Sequence, residues 1–331
     1  MIIENNKNKD KGLSYFLAAF IFSSLFFIAI NGLGKSTEDY FFFKEIAKNP
    51  ETFMAQANLD NLLQERAKKE AESKPIENKN LEISAKSTIS VLFNPDTGEE
   101  KILFEKESNV VLPIASLTKL MLADVVLENY DLNKIIKISD EDVSQEGDIG
   151  NLKIGEEFSV ENLLYMALIE SNNDAAYALS EALPEGVFVR LMNLEAGYLG
   201  MTNTFFDDPM GISEKNQSNT KDLVILIKHL LKEQPLVWKI LKKPEFDLKT
   251  PDGVFHHKLI NTNETLREWG INLEIVGGKT GYTYAANGCF ALVLKVVDNG
   301  YLINVILGSD DRFNEMVKLT DFVQNNAGLS Y

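Results

Sequence analysis

The chain has 331 residues, enough to bury one large core or two smaller ones. Its 49 acidic residues against 33 basic ones give a net charge of −16, which argues against a nucleic-acid-binding function. A single cysteine, Cys289, rules out an internal disulfide framework and a multi-cysteine metal site, and no other motif predicts a metal or a cofactor.

An apolar segment near the amino terminus is the first predicted element. Residues 13–30 carry no charge, and with Gly32 and Leu33 they approach the roughly 30 Å hydrocarbon thickness of a bilayer at about 1.5 Å per residue. A cleaved signal peptide is the alternative, but its apolar region is usually only about 7–15 residues long. We therefore predict a short cytoplasmic head at 1–12 and a single-pass transmembrane anchor at 13–33.

The next segment, 34–82, is charged and favours helix, but its apolar side chains form only a short stripe. We predict a partly helical stalk that carries a globular domain at 83–331, and a partner-binding helix is the alternative. Lysines flank the apolar segment on both sides, so the positive-inside rule does not decide which side of the membrane holds the domain.

The globular domain begins with two predicted strands. Residues 88–93 and 101–104 are rich in strand formers, and the sequence Asn-Pro-Asp-Thr-Gly at 94–98 between them is typical of a turn. A helix that runs from Ser116 to about Tyr130 follows.

The middle of the chain is predicted to be mostly helical. After a short strand at 135–138, Ser159 is a typical N-cap, and the polar sequence at 170–174 separates two helices. The predicted helices cover 159–169, 175–182 and 223–231.

From residue 274 the pattern changes to strands. The segments 275–284, 289–297 and 302–307 are strand-like, and the Asp-Asn-Gly sequence at 298–300 indicates a hairpin between the last two. A helical tail covers 312–325. Strands at both ends, joined by hairpins, predict an α/β fold: an antiparallel sheet flanked by helices, plus a mostly helical subdomain. Cys289 should be a core residue of this sheet.

Ser116 and Lys119 lie in an otherwise apolar stretch, 111–122. Residues three apart share a helix face, so the amine can lie against the hydroxyl. A buried lysine tends to lose its proton, and a neutral amine beside a hydroxyl is a general base beside a nucleophile. The simpler interpretation is a serine N-cap, and the same motif recurs at 218–221, so the motif alone does not establish catalysis.

The three histidines are a weak basis for a Ser/His/Asp triad. His256 and His257 are adjacent, so in a strand we expect their side chains to point to opposite faces.

Two further fragments follow the first motif in order, Ser171-Asn-Asn173 and Lys279-Thr-Gly281. Their order, and their predicted places at a helix start, an inter-helix loop and a strand, resemble the penicillin-recognising serine enzymes. Within that superfamily the chain is most similar to the serine-type D-alanyl-D-alanine carboxypeptidases, the low-molecular-mass penicillin-binding proteins. The resemblance covers roughly residues 83–325 and implies a β-lactamase/transpeptidase-like fold. The stretches that match are 113–121, 171–176, 208–211, 261–263 and 278–283.

The resemblance implies a catalytic group of four residues. Ser116 would attack the carbonyl of the penultimate D-alanine in a peptidoglycan stem peptide, and Lys119 would take the hydroxyl proton. Ser171 would pass a proton to the leaving amine, and Asn173 would hold the lysine and the substrate amide. The charge of Lys279 should help to lower the pKa of Lys119.

The resemblance also implies a substrate-binding group. Lys279 and Thr280 would receive the terminal carboxylate, and Gly281 would let the substrate backbone approach the strand. The backbone N–H of Tyr282 would complete an oxyanion hole with that of the nucleophile. Arg312 resembles an arginine that assists carboxylate binding, although a surface arginine near a helix start fits the sequence equally well.

These implications predict a membrane-anchored D-alanyl-D-alanine carboxypeptidase, with its catalytic domain outside the cytoplasm and with β-lactams as covalent inhibitors. The alternatives are a D,D-endopeptidase that acts on cross-links, and a β-lactam-binding sensor or tethering module without turnover. A β-lactamase is less favoured, since its deacylating carboxylate would have to come from Glu195, Asp207 or Asp208. Asn172 replaces the small residue usual in Ser-x-Asn, which places the expected substrate fit in question.

Overall fold

The structure is a computed structural model that describes residues 81–147, 151–184, 186–268, 274–296 and 300–327. The predicted head, the predicted anchor at 13–33 and nearly all of the predicted stalk lie outside these residues. Within them, no helix combines the length and the apolar character needed to cross a membrane.

The described part of the chain contains eleven strands, most of them short. The strands are β1 (Ser87–Phe93), β2 (Glu100–Lys106), β3 (Leu112–Pro113), β4 (Ile135–Lys137), β5 (Glu157–Ser159), β6 (Gln217–Ser218), β7 (Glu245–Lys249), β8 (Phe255–Ile260), β9 (Ile275–Thr283), β10 (Asn287–Lys295) and β11 (Tyr301–Ser309). Five of them form one antiparallel sheet in the order β2-β1-β11-β10-β9, so strands from both ends of the domain make the sheet, as predicted.

Eight α-helices accompany these strands in the described residues. They are α1 (Thr118–Asn129), α2 (Val160–Ile169), α3 (Asn173–Glu181), α4 (Val187–Tyr198), α5 (Thr220–Glu233), α6 (Pro235–Leu241), α7 (Thr265–Glu268) and α8 (Arg312–Ala327). Ser159 caps α2 by accepting from the N–H of Asn162, as predicted.

Both faces of the sheet are covered, so its central strands are apolar at consecutive positions. Side chains in a strand alternate between faces, and β10 sends alternate residues into two separate cores. The residues of β10 in the larger core are Cys289, Ala291 and Val293, and those in the smaller core are Phe290, Leu292 and Leu294. The predicted core position of Cys289 is confirmed, and α8 covers the smaller core.

The helix that carries Lys119 is buried on all sides. All nine residues from Thr118 to Val126 are buried in α1, because this helix packs against α2, α3, α4 and α5. The turn before it, Ala115–Leu117, packs instead against β9 and β10. A reactive group at the start of α1 therefore lies where the helical subdomain meets the sheet.

The hairpin of β7 and β8 was not anticipated, and it contradicts the prediction for the adjacent histidines. Leu248 pairs with His257 and Lys249 with Phe255, so His256 is an extra residue in a β-bulge. A bulge interrupts the alternation of side chains between faces, and the two imidazoles meet with 2.6 Å between their Nδ1 atoms. The expectation that they point to opposite faces is therefore wrong.

Buried Glu315 of α8 ties together segments that are far apart in the chain. Its carboxylate accepts from the N–H and the hydroxyl of Ser84 (2.5 and 2.6 Å), from the N–H of Ala85 (3.1 Å) and from the Ser309 hydroxyl (2.6 Å). These bonds join α8 to the segment before β1 and to the end of β11.

We predict that Glu315→Gln lowers the free energy of unfolding by about 2–3 kcal/mol, because charge-assisted hydrogen bonds to a buried carboxylate are weakened. Urea unfolding of the full chain measures this loss. The matched control is Glu214→Gln at an exposed position, which should leave the stability unchanged within about 0.5 kcal/mol. Equal stabilities of the two variants would contradict this role of Glu315.

Candidate active site

Ser116 lies in the 3-10 turn Ala115–Leu117, directly before α1. The N-cap position of α1 is Leu117 and makes no side-chain capping bond, so Ser116 is not an N-cap. The residue before it, Ala115, has a φ of +48°, a left-handed conformation that an alanine adopts only when its surroundings enforce it. A strained backbone residue therefore directly precedes Ser116.

The Lys119 amine is fully buried and has three oxygen partners. Its Nζ lies 3.2 Å from Ser116 Oγ, 2.7 Å from Asn173 Oδ1 and 2.7 Å from the backbone oxygen of Met210. Burial lowers the pKa of Lys119 to about 7, although the Asp208 carboxylate opposes the shift. A neutral amine has two N–H bonds and one lone pair. The Asn173 amide oxygen and the Met210 carbonyl oxygen each accept a hydrogen bond from one N–H group. The lone pair of Nζ is then left for the Ser116 hydroxyl proton.

A loop formed by Asp208-Pro-Met-Gly211 presents the Met210 carbonyl to this amine. The Asp208 carboxylate accepts from the N–H groups of Met210 (2.7 Å), Gly211 (2.6 Å) and Ser213 (2.6 Å), which fixes the loop. Gly211 has a φ of +89°, and a Cβ there would lie 2.1 Å from the Ala115 oxygen. No role was predicted for this stretch, although its Asp-x-x-Gly turn chemistry was a usable signal.

The three carboxylates considered for a β-lactamase are all engaged elsewhere. Asp208 binds the loop just described, and Asp207 accepts from the Ser213 hydroxyl. Glu195 lies in a cluster with Asp124, Glu128 and His229.

The sequence 171–173 connects α2 to α3. Ser171 has a φ of +62°, and Asn173 is the first residue of α3, which begins two residues earlier than predicted. The Asn173 side-chain amide accepts a hydrogen bond from Lys119, and its Nδ2 donates to the backbone oxygen of Glu146 (2.6 Å). Both the oxygen and the nitrogen of this amide are therefore held in place. Buried Asn172 caps α3 by accepting from the Ala175 N–H (2.8 Å). This side chain therefore serves the helix start.

Lys279 lies on β9 and is almost completely buried. Its Nζ donates to Ser171 Oγ and to the backbone oxygen of Thr280, both at 2.8 Å. Burial, and then the charges of Lys119 and Arg312, lower the pKa of Lys279 well below its ordinary value. For Lys119 the predicted effect of burial is confirmed as the main cause of the lowered pKa, and the expected help from Lys279 is corrected, since Lys279 is not among the causes.

Gly281 lies against the backbone of the turn that carries Ser116. A Cβ at this position would lie 2.8 Å from the Ser116 backbone nitrogen and 3.0 Å from the Ala115 Cβ. The absence of a side chain at 281 therefore lets β9 approach this turn closely, and the expected approach of substrate to the strand stays a prediction. Thr280 donates its hydroxyl to Thr262 Oγ1 at 2.6 Å, which fixes the strand beside this turn.

The remaining substrate-binding candidates lie near the end of β9. Tyr282 is 57% exposed, and its ring centroid lies 6.3 Å from that of Tyr284, which is 96% exposed. Arg312 begins α8, and its guanidinium carbon lies 4.7 Å from the Phe313 ring centroid. Arg312 is partly buried rather than a freely exposed surface residue, and its charge reaches Lys279.

The structure thus brings the three sequence fragments together. Asn173 contacts the Lys119 amine, and the Lys279 amine contacts Ser171, two residues before Asn173. Gly281 lies against the turn that carries Ser116. The predicted convergence of a helix, a loop and a strand on one site is confirmed.

A comparison with protein families agrees with this arrangement. The profile of the D-alanyl-D-alanine carboxypeptidases matches residues 69–311. The chain belongs to the D-alanyl-D-alanine carboxypeptidase family. The structure has the α/β penicillin-binding-protein fold, with its antiparallel sheet and its helices.

Individual relatives include both carboxypeptidases and endopeptidases. The D-alanyl-D-alanine carboxypeptidase DacF of Bacillus subtilis is 32% identical over 73% of the chain, which spans 63% of the length of DacF. A D-alanyl-D-alanine endopeptidase of Escherichia coli is 30% identical, over 71% of the chain and 79% of that protein. A penicillin-binding protein from Listeria monocytogenes, solved in its cefotaxime-bound form, is 29% identical with a TM-score of 0.62, over 74% of the chain and 99% of that structure.

We predict that the rate of Ser116 acylation by a penicillin increases with pH, with a midpoint at about 7, because only neutral Lys119 accepts the hydroxyl proton. Stopped-flow acylation between about pH 5 and pH 9 measures the profile. Lys119→Arg, which stays charged, should acylate at least about 100-fold more slowly at every pH. A midpoint close to the ordinary lysine pKa would argue against the neutral amine.

We also predict that Gly281→Ala slows acylation by about 10- to 100-fold, because the new Cβ displaces the Ser116 backbone from its attacking position. The matched control is Gly197→Ala, in α4, where an added Cβ has no neighbour within 4 Å. This control should acylate at the rate of the unmodified chain and gain a little helix stability. Equal acylation rates for both variants would show that the close approach of β9 is unimportant.

Proposed function

We propose that the chain is a D-alanyl-D-alanine carboxypeptidase that removes the terminal D-alanine from peptidoglycan stem peptides through a serine acyl-enzyme. The observation that carries this proposal is the buried Lys119 amine, which lies 3.2 Å from the Ser116 hydroxyl and whose other two contacts are oxygen acceptors. Membership of the carboxypeptidase family supports the choice of substrate.

In the first step, Ser116 Oγ attacks the carbonyl carbon of the penultimate D-alanine while its proton passes to Lys119 Nζ. The developing oxyanion is received by the backbone N–H groups of Ser116 and Tyr282, and such donors are typically worth about 100- to 1,000-fold in rate. The close approach of β9 to the nucleophile turn supports this pairing.

Collapse of the tetrahedral intermediate breaks the bond to the terminal D-alanine. Its nitrogen needs a proton, and Ser171 is suited to relay one because its Oγ accepts from Lys279 and its neighbour Asn173 contacts Lys119. Water then attacks the acyl-enzyme, with Lys119 again as the base, and releases the shortened peptide.

The terminal carboxylate is the natural counter-ion for the cationic end of the site. Buried Lys279 has a lowered pKa because burial, and then nearby positive charges, disfavour its ammonium form. A carboxylate bound by Lys279, Thr280 and Arg312 supplies the missing negative charge and raises that pKa again. Substrates that lack a free carboxylate should therefore bind poorly.

We infer that β-lactams inhibit the chain at this same site. Ser116 would open the strained β-lactam ring and remain acylated. The cefotaxime-bound Listeria protein of the same fold supports this inference.

Because stem peptides are outside the cytoplasm, we also propose that residues 13–33 anchor the chain in the cell membrane with its catalytic domain on the extracytoplasmic side.

An endopeptidase that cuts peptide cross-links is the second candidate. The alignment with the Escherichia coli D-alanyl-D-alanine endopeptidase covers 79% of the length of that protein, which supports this alternative. Both reactions use the same serine and break a bond to D-alanine. They differ in whether the leaving amine belongs to a free amino acid or to a second peptide.

We predict that the full chain releases free D-alanine from a pentapeptide that ends in D-Ala-D-Ala, and that Ser116→Ala abolishes both this release and the penicillin adduct. Chromatography of D-alanine and mass spectrometry of the intact protein measure the two effects. The matched control is Ser218→Ala in the second Ser-x-x-Lys sequence, which should retain both activities.

Cleavage of a cross-linked dimer without release of D-alanine would assign the endopeptidase instead. A penicillin adduct with no turnover of either peptide would indicate the sensor or tethering module. A persistent adduct in Ser116→Ala would remove Ser116 as the nucleophile.

A further inference from the structure

A second cluster of ionisable side chains lies within the helical subdomain, apart from the residues used in the mechanism. Asp124 and Glu128 come from α1, Glu195 from α4 and His229 from α5, and one ligand atom of each lies within 4.8 Å of those of the others. The positions 124 and 128 are four apart and so share a face of α1.

Asp124 provides an independent sign that this cluster is incomplete. Its side chain is fully buried, and one carboxylate oxygen, Oδ1, lies 3.1 Å from His229 Nε2. The other oxygen, Oδ2, is buried and has no hydrogen-bond partner among the described residues. A buried carboxylate oxygen without a partner is costly, and a native protein usually supplies a hydrogen-bond donor or a cation for it.

The charges of the cluster also do not balance. Three carboxylates face one imidazole, so the cluster holds more acidic than basic groups. A bound divalent cation would balance them.

We propose that Asp124, Glu128, Glu195 and His229 form a binding site for a divalent transition-metal ion, with Zn²⁺ the best match. One imidazole nitrogen and three carboxylate oxygens are a suitable set for four-coordinate Zn²⁺, whereas an imidazole is a poor ligand for Mg²⁺ or Ca²⁺. Bonds of about 2.0–2.2 Å in a tetrahedral site place ligand atoms about 3.4 Å apart, so modest side-chain rotations from the present separations are sufficient.

The cluster is open to solvent at one end and buried at the other. Asp124 lies at the buried end, Glu128 is exposed, and Glu195 and His229 are partly exposed, so an ion can enter from solvent.

The site supports the fold rather than the chemistry. Along α1, Asp124 lies about 7.5 Å from Lys119 and about 140° around the helix, so it faces away from the reacting groups. An ion that joins α1, α4 and α5 fixes the helix whose first turn carries the general base. We therefore expect metal to raise the melting temperature and to leave the acylation chemistry unchanged.

The test is a titration of the metal-free full chain with ZnSO₄ by isothermal calorimetry, with melting curves recorded with and without the ion. The expected result is one Zn²⁺ per chain and a higher melting temperature that a chelator reverses. Glu195→Gln should weaken binding by at least about tenfold and remove the thermal shift. The matched control is Glu233→Gln, an exposed carboxylate of α5, which should behave like the unmodified chain.

His229→Gln provides a second test, and it should weaken Zn²⁺ binding as strongly as Glu195→Gln does. In the unmodified chain, ¹⁵N NMR should show a large shift of His229 Nε2 on addition of the ion. Zn²⁺ uptake that survives both substitutions, for example at the paired His256 and His257, would overturn the proposal. Absence of saturable uptake by the unmodified chain would overturn it equally.

Discussion

The burial of one lysine amine determines the rest of this site. An ammonium ion in a dry interior is unstable unless it is paired, and Lys119 is surrounded mainly by neutral oxygens, so its pKa falls to about 7. The protein thereby obtains a base that is partly neutral at physiological pH and that touches a hydroxyl. The helix that carries the lysine must be enclosed on all sides for this to work, and the first nine residues of α1 are all buried.

Close backbone approach sets the position of the hydroxyl. Gly211 from the loop at 208–211 and Gly281 from the sheet leave no room for a side chain against the turn at 115–116, in which Ala115 is left-handed. The turn that carries Ser116 is thus enclosed by two elements that are distant in sequence. The helix, the segment at 171–173 and the strand all contribute polar groups, and none of them forms the site alone.

The sequence predicted the local elements and the chemistry better than the contacts between elements. Hairpin turns and strand formers indicated the antiparallel sheet, and the three motifs indicated the residues that meet in the site. What depended on tertiary packing was missed: the meeting of His256 with His257 and the contact of Gly281 with the turn that carries Ser116. Burial was predicted to lower the pKa of Lys119 and is confirmed as the main cause, whereas the expected contribution of Lys279 is not among the causes.

The central claim is that Lys119 is a neutral base near pH 7, and ¹³C NMR of the full chain labelled at lysine Cε tests it most directly. Loss of one signal in Lys119→Arg assigns the resonance. We predict that this resonance titrates with a midpoint at about 7 while exposed lysines titrate near their ordinary value. A Lys119 signal that titrates together with the exposed lysines, near 10.5, would contradict the account.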